Sequence, residues 1–296
     1  MLRTRLATGL PLAAITIAAF CWPGLPGSAL FLLLAAVFVS VAVHEFFGMM
    51  DRMELPGFRV ATILAAIAML AGNWYCGHWG ESGCAVGLAL DAMVGGVFLL
   101  FLFLALCRYE PGRASLLRLL VSIGALGYVV WPLLFLAKLY FQSGGMSGRL
   151  LVFYLILTTK MGDVGAFVVG TTTARRKNGN HKLAPGLSPK KSWEGLAGGL
   201  VFSLVASLAM VYWGGAHLTL HGTPVMDMVS ATYFAVFCTV AGLLGDLAES
   251  FLKRASDTKD SGRIPGLGGV LDIVDSLIPV APVFYAYVHI AHRALQ

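Results

Sequence analysis

The chain has 296 residues, of which 58% are hydrophobic and 12% are charged. An ordinary soluble domain carries about 25% charged residues, and one water-soluble core of this length cannot bury so much apolar surface. These numbers exclude a soluble globular protein and predict a polytopic integral membrane protein of the all-α class. The net charge of +6 is explained by the positive-inside bias of membrane proteins, so we expect no nucleic-acid partner.

Apolar segments recur along the whole chain. A spanning helix needs about 20 mostly apolar residues, and the candidates are 6–22, 28–48, 58–75, 84–107, 116–140, 150–170, 193–213, 228–247 and 270–291. The first is short, contains Pro11 and follows Arg3 and Arg5, as a signal peptide would. We expect a retained helix there, because no small-x-small cleavage site clearly follows. The expected fold is a helical bundle of about nine transmembrane helices.

The Lys and Arg residues give this bundle an orientation. With nine spans and a cytoplasmic N-terminus, the cytoplasmic side receives all 21 basic residues except Lys138, Arg149, Lys160 and Arg293. We therefore expect a multi-pass protein of the inner membrane with its N-terminus and its polar loops in the cytoplasm. Cys76 and Cys84 share one predicted outer loop, and the sequence leaves both a disulfide and two free thiols open there.

The polar residues are unevenly distributed. Residues 1–150 are apolar spans joined by short loops, and we interpret them as a scaffold. Residues 151–296 contain almost all the unusual polar groups and two basic loops, 171–195 and 248–269, and we interpret them as the catalytic half.

Ionisable groups within spans are costly and mark functional sites by default. We interpret His44 and Glu45 as a helix-end pair that reaches interfacial water, and Asp91 as a hydrogen-bonding partner of a neighbouring helix. Asp163 lies in GDVGAF near the end of the sixth span and is followed at once by the first basic loop. We expect Asp163 to face a polar site.

Four carboxylates stand at two predicted helix ends on one side of the membrane. Asp246 and Glu249 are three residues apart, as are Asp272 and Asp275, so each pair shares a helix face. Four such groups repel one another unless they are neutralised. Pairing with Lys253, Arg254 and Lys259 is one solution. We favour the other, a site for a hard divalent cation such as Mg²⁺, which prefers carboxylate and phosphate oxygens.

The basic loops add phosphate-binding groups. SPKKSWEG places Ser188, Lys190, Lys191 and Ser192 just before a helix that Ser192 can cap, with Glu194 in its first turn. Attraction to lipid headgroups would also explain basic clusters beside a membrane, but the carboxylates that face the same loops argue for more. The residues alone thus predict phosphoryl or nucleotidyl transfer to a lipid substrate.

The stretch SFLKRASDTKDSGRIPGLGGVLDIVD, residues 250–275, resembles the signature of the phosphatidate cytidylyltransferase (CDP-diacylglycerol synthase) family. The matching residues are Ser250, Lys253, Arg254, Lys259, Asp260, Pro265, Gly268, Gly269, Asp272 and Asp275. GDVGAF, HKLAPGLSPKKSWEG and GDLAES also fit the family. The chain departs from the signature at Leu267, where the family has histidine, and at Ile273, where it has arginine.

The resemblance implies transfer of CMP from CTP to phosphatidate in phospholipid synthesis, by a homodimer in the lipid bilayer. The implied cofactor is Mg²⁺, alone or with a second cation. Asp246 and Asp272 are then the leading metal ligands, supported by Glu249, Asp275 and Asp163, and the implied catalytic residues are Asp246, Asp272, Lys259 and Asp275. The implied substrate-binding residues are Ser188, Lys190, Lys191, Ser250, Lys253, Arg254, Asp260, Gly268 and Gly269.

Three alternative functions differ in the sequence features that they predict. A relative that uses another lipid phosphate would carry the same motifs. A CDP-alcohol phosphotransferase needs a DG-x-x-A-R run, which the residues around Asp272 lack. An ion-coupled transporter predicts polar groups near the bilayer midplane and an internal repeat, and neither is evident in the sequence.

Overall fold

A computed structural model describes residues 11, 14–79, 83–108, 112–142, 145–176, 179–262 and 268–295, without the side chains of 83–93, 108 and 142. Seven residues of the first predicted span, 6–10, 12 and 13, therefore lie outside the described residues, and residues 14–21 are helical. Several residues named above also lie outside them: Arg3, Arg5, Pro265, Leu267 and the side chains of Cys84 and Asp91.

The described chain is built from helices and two small hairpins. In chain order the helices are α1 (Gly24–Arg52), α2 (Arg59–Trp79), α3 (Gly83–Arg108), α4 (Arg113–Ala125), α5 (Trp131–Gln142), α6 (Met146–Ala174), α7 (Trp193–Gly214), α8 (Met228–Ala255), α9 (Leu271–Val274) and α10 (Leu277–Ala294). A π-helical turn, Leu126–Val130, joins α4 to α5, and a 3₁₀ turn, Gly215–His217, follows α7. The antiparallel hairpins pair β1 (Lys182–Ala184) with β2 (Ser188–Ser192) and β3 (Thr219–Leu220) with β4 (Thr223–Pro224).

Six helices among the described residues are long and apolar enough to cross a membrane. They are Gly24–Arg52, Arg59–Trp79, Arg113–Phe141, Met146–Ala174, Trp193–His217 and Met228–Ala255. They confirm the all-α, polytopic class. The count of nine stays a prediction, because the side chains in the first part of α3 (Gly83–Arg108), which coincides with the predicted span 84–107, lie outside the described residues, and the predicted span 270–291 is interrupted.

The interruption of the ninth predicted span lies at its start. The chain forms the single turn α9, breaks at Asp275 and Ser276, and begins α10 at Leu277. The Asp275 carboxylate accepts the N–H of Ser276 at 2.6 Å, which satisfies a donor that the break leaves outside a helix. Pro279 follows in the first turn of α10, where its missing N–H costs nothing.

The chain divides into two compact units. Unit 1 comprises Met1–Gly145 and Ala255–Ile273, and unit 2 comprises Met146–Arg254 and Val274–Gln296. Of the two predicted basic loops, 171–195 belongs to unit 2, whereas 248–269 begins within α8 and then continues in unit 1. The functional division into a scaffold and a catalytic half stays a prediction.

The core of unit 1 is apolar and aromatic. Phe47, Leu70 and Val129 are fully or almost fully buried. The rings of Phe31 and Tyr140 stack with their centroids 3.8 Å apart, and the Tyr140 hydroxyl donates to the Ala19 carbonyl at 2.7 Å. This unit therefore packs mainly by apolar area and ring contacts.

Unit 2 packs by close helix approach and buried hydroxyl groups. A Cβ on Gly165 of α6 or Gly198 of α7 would overlap the facing helix, so glycine lets the two backbones meet, as small residues do in membrane helix pairs. The hydroxyls of Tyr154 and Ser207 lie 2.6 Å apart, and Ser203 donates to the Ala235 carbonyl at 3.1 Å. These contacts fix α6, α7 and α8, which carry most of the polar site.

Candidate active site

Three carboxylates meet in unit 2. Asp246 and Glu249 lie on one face of α8, Asp275 follows α9, and oxygens of all three lie within 4.8 Å of one another. Glu249 and Asp275 are buried and Asp246 is half-buried. Like charges this close, and out of water, cannot all be ionised without a compensating cation. We call these three residues the acidic cluster.

Two lysines supply part of that compensation. Lys191 of β2 pairs with the Asp246 carboxylate, and Lys253 donates to the Glu249 carboxylate at 2.6 Å. The alternative of neutralising pairs is therefore observed for Lys253. These ion pairs engage Asp246 and Glu249, and oxygens of the third carboxylate, Asp275, lie within 4.8 Å of both, so the ion pairs do not remove the case for a bound metal ion. Oxygen donors of this kind are those that Mg²⁺ prefers.

Asp163 is held in a separate network beside the cluster. Its carboxylate accepts hydrogen bonds from the Lys160 amine and from the Ser276 hydroxyl, each at 3.0 Å. Lys160 also donates to the Ser276 hydroxyl at 2.7 Å. Because Ser276 is the residue after Asp275, this network ties α6 to the chain segment that carries the third carboxylate of the cluster.

A cavity of about 300 Å³ opens between α6, β2, α7 and α8. Asp163 and Asp246 line one part of it and Ser188, Lys190 and Lys191 line another, while Phe167, Leu196 and Leu243 add an apolar side. The volume is at the lower end of the range of small-molecule sites, about 300–1,000 Å³. The cavity unites the motifs GDVGAF, SPKKSWEG and GDLAES.

Local sequence features explain the hairpin that carries Lys190 and Lys191. Pro185 and Gly186 form the tip between β1 and β2, a residue pair typical of tight turns, and the Leu187 N–H donates to the Ala184 carbonyl. Ser192 ends β2 and caps α7 by accepting the Gly195 N–H at 3.1 Å, which confirms the predicted cap. The hairpin is thereby fixed to the start of α7.

The sequence model of the cytidylyltransferase family matches residues 3–291. The chain belongs to this family. It is 31% identical to the phosphatidate cytidylyltransferase of Mycobacterium bovis over 95% of this chain and 86% of that protein. It is 28% identical to that of Staphylococcus haemolyticus over 87% of this chain and 89% of that protein. The enzyme of the same name from Haemophilus influenzae is 37% identical over 59% and 58% of the two chains.

The remaining residues of the family signature lie around the end of α8 and before α9. Ser250 is buried on α8, and Arg254 donates through Nε to the Leu187 carbonyl at 3.5 Å, so it contacts the hairpin tip. Lys259 and Asp260 are exposed in the segment that follows. Their roles in substrate binding stay predictions.

Asp272 is engaged by the signature segment itself, in unit 1. Its Oδ2 atom accepts the N–H groups of Gly269 at 2.9 Å and Ser261 at 3.4 Å. Gly268, just before, has a φ of +83°, a conformation that glycine adopts without strain. The role of Asp272 as a leading metal ligand stays a prediction.

The interpretation of Glu45 as a group in interfacial water is wrong. Helix α1 continues to Arg52, so Glu45 lies two turns inside it, and only 6% of the residue is exposed. Its carboxylate accepts hydrogen bonds from Ser261, Val270 and Leu271. His44, by contrast, is exposed. No functional role was predicted from the sequence for Glu45 in unit 1 or for Lys160 and Ser276 in unit 2.

Of these three, Lys160 had a usable signal, because an apolar helix interior rarely carries a lysine three residues from an aspartate. Glu45 carried the signal of an ionisable group within a predicted span, but its partners and those of Ser276 could not be predicted, since these contacts join residues more than 100 positions apart in the sequence.

Proposed function

We propose that this chain transfers CMP from CTP to phosphatidate and forms CDP-diacylglycerol and pyrophosphate. The observation that carries the proposal is the cavity that Asp163, Asp246, Lys190 and Lys191 line together. A cationic hairpin opposite carboxylates suits a polyphosphate with its metal ion. Membership in the cytidylyltransferase family and the names of its relatives support the same substrates.

The reaction joins two anions. A phosphate oxygen of phosphatidate attacks the α-phosphorus of CTP, a new P–O bond forms, and the bond to the pyrophosphate group breaks in line. Phosphate monoesters have a second pKa of about 6, so the attacking oxygen is already unprotonated near pH 7 and needs no general base. The protein must position the two phosphates and neutralise their charge, as in other phosphoryl transfers.

The hairpin lysines perform that neutralisation in the proposal. Lys190 and Lys191 line the cavity and can each donate to several phosphate oxygens. Lys191 pairs with Asp246, so binding of the triphosphate would release it from the carboxylate. Arg254 holds the hairpin tip and thereby keeps both lysines at the cavity.

The acidic cluster fits a divalent metal ion, since three carboxylates offer oxygens within 4.8 Å of one another. Asp246, Glu249 and Asp275 would hold Mg²⁺, which when bound neutralises charge on the triphosphate. Asp163 and Asp272 remain proposed as further metal ligands, as the family resemblance implies. We further propose a homodimer in the inner membrane with the hairpin in the cytoplasm, where CTP is available.

Purified protein tests the proposal with α-labelled CTP, Mg²⁺ and phosphatidate in mixed micelles. We expect labelled CDP-diacylglycerol and release of one pyrophosphate per lipid product. Parallel reactions would contain other lipid phosphates, an ether-linked phosphatidate among them. A product from one of these alone would assign the chain to that lipid. A folded protein that labels no lipid would contradict nucleotidyl transfer altogether.

The orientation has its own test. A single cysteine introduced between residues 179 and 190 should react with a membrane-impermeant thiol reagent only when the cytoplasmic face is accessible. Labelling of intact cells from outside would contradict the proposed orientation.

A further inference from the structure

A buried carboxylate in α1 holds the backbone of the signature segment. Glu45 Oε1 accepts the Val270 N–H at 3.0 Å. Its Oε2 accepts the Leu271 N–H at 2.8 Å and the Ser261 hydroxyl at 3.2 Å. Both oxygens are therefore engaged, and all three donors come from a segment more than 200 residues away in the sequence. Hydrogen bonds to an ionised carboxylate are among the strongest that a protein makes.

The segment is shaped to receive this carboxylate. A Cβ on Gly262 would overlap Glu45 Oε1, and a Cβ on Gly269 would lie 2.8 Å from Glu45 Oε2 and overlap the Ser261 hydroxyl. Both glycines thus have a steric reason in the packing against Glu45. Gly262 and Gly269 do not need a nucleotide to explain them.

Asp272 continues the same arrangement. Its Oδ2 accepts the N–H groups of Ser261 and Gly269. Together, Glu45 and Asp272 therefore accept four backbone N–H groups, those of Ser261, Gly269, Val270 and Leu271. The two stretches 261–262 and 268–271 are therefore held together around Glu45. Asp272 follows directly on the last of these residues.

We infer that Glu45 is a positioning residue: its carboxylate fixes the backbone of the signature segment and so the point at which Asp272 leaves it. The inference rests on the proposed function, because it concerns how the catalytic segment of that function is held. Glu45 lies outside the signature and touches neither substrate in this account. A displacement of about 1 Å in a reacting group costs roughly 10²-fold in rate, and we expect loss of Glu45 to act in this way.

The test compares Glu45→Gln with Glu54→Gln, which changes an exposed glutamate just beyond the end of the same helix. The amide keeps the size of the side chain but presents an NH₂ group where one oxygen accepts a hydrogen bond. In Glu45→Gln we expect the amides of Val270 and Leu271 to exchange hydrogen at least about tenfold faster, because Glu45 is their acceptor and the glutamine amide is a weaker one. We expect kcat to fall by roughly 10–10²-fold, with KM for CTP within about threefold of wild type. Glu54→Gln should change none of these values.

Two further variants separate positioning from folding. Glu45→Asp keeps the charge and should recover part of kcat. Ser261→Ala removes one of the three donors, and should reduce kcat less than Glu45→Gln does. When Glu45→Gln and Ser261→Ala are combined in one protein, their effects on kcat should not add, since both act through the contact between Glu45 and Ser261.

The outcomes are distinct. Unchanged exchange at Val270 and Leu271 in Glu45→Gln would overturn the inference, as would faster exchange across the whole protein with a lower thermal midpoint, which is the mark of a purely structural residue. Faster exchange confined to this segment, in a protein that forms no CDP-diacylglycerol even as wild type, would uphold the positioning of the segment and contradict the proposed function.

Discussion

The same chemical group has two different surroundings in the two units. In unit 1, the Glu45 carboxylate is surrounded by backbone N–H groups and a hydroxyl. In unit 2, the carboxylates of the acidic cluster face one another and two lysines. Neutral donors satisfy an isolated carboxylate completely, whereas a group of three needs positive charge. The comparison shows that the hydrogen-bond donors around a buried carboxylate indicate its role better than its burial does. They distinguish a carboxylate that fixes the backbone from one that can bind a cation.

The largest expected effect separates the cluster from an ordinary helix-end carboxylate. Asp275→Asn keeps an oxygen to accept the Ser276 N–H but removes a charge from the cluster. We expect kcat to fall by roughly 10²–10³-fold, the range seen when one electrostatic group of an active site is lost. The measurement is CDP-diacylglycerol formation across a Mg²⁺ titration.

Asp227→Asn is the matched control. Asp227 accepts the Ser230 N–H at 2.8 Å at the start of α8, and asparagine caps helices as well as aspartate does. These hydrogen bonds lower the pKa of Asp227, so it stays ionised throughout the assay range. Wild-type turnover in Asp275→Asn, or an equal loss in both variants, would remove the distinction between the acidic cluster and an ordinary helix-end carboxylate.

The next largest effect concerns Lys191, the hairpin lysine that pairs with Asp246 of the acidic cluster. Lys191→Gln removes the charge that pairs with Asp246 at the cavity, and we expect KM for CTP to rise by about tenfold, the equivalent of one charged hydrogen bond. Lys182→Gln changes an exposed lysine of the same hairpin and should leave KM unchanged. Initial rates over a range of CTP concentrations measure both, and equal KM values for the two variants would contradict a specific phosphate contact.

A smaller effect tests the packing around Glu45. Gly269→Ala places a Cβ where the Ser261 hydroxyl lies, and we expect kcat to fall by roughly tenfold as the segment shifts. Gly186→Ala, at the open tip of the hairpin with nothing within 4 Å, should have no effect. Full activity in Gly269→Ala would show that the segment tolerates displacement.

The smallest effect is on stability. Ser192→Ala removes the cap of α7 and should lower the free energy of unfolding by about 1 kcal/mol. Ser192→Thr should retain most of it, because threonine also caps. Thermal denaturation in detergent would compare the two, and equal midpoints for Ser192→Ala and wild type would count against the cap.

The features that the sequence predicted well are local ones. Apolar length gave the all-α membrane class, and Ser192 with Glu194 gave the start of α7, since both signals lie within a few residues. The hairpin with its turn at Pro185 and Gly186 was predicted only as part of a loop, because strands of three and five residues show too little alternation of polar and apolar residues to be recognised. The contact between Glu45 and Leu271 could not be predicted at all, since it depends on tertiary packing between segments 226 positions apart.

The motif spacing had a similar limit at the metal ligands. The three-residue spacing placed Asp272 and Asp275 on one helix face, with Asp272 predicted as a leading metal ligand, yet Asp275 joins the cluster while one oxygen of Asp272 accepts amides of its own segment. The difference arises from the break before α10, which turns the chain within three residues. Period rules assume a continuous helix and therefore cannot anticipate it.

Binding of Mn²⁺, followed by its electron paramagnetic resonance signal in the absence of substrates, tests the central claim most directly. The account predicts that wild type and Glu45→Gln bind Mn²⁺ with dissociation constants within about threefold of each other, whereas Asp275→Asn binds at least about tenfold more weakly. Loss of binding in Glu45→Gln with full binding in Asp275→Asn would contradict the account, because it would exchange the roles of the two regions.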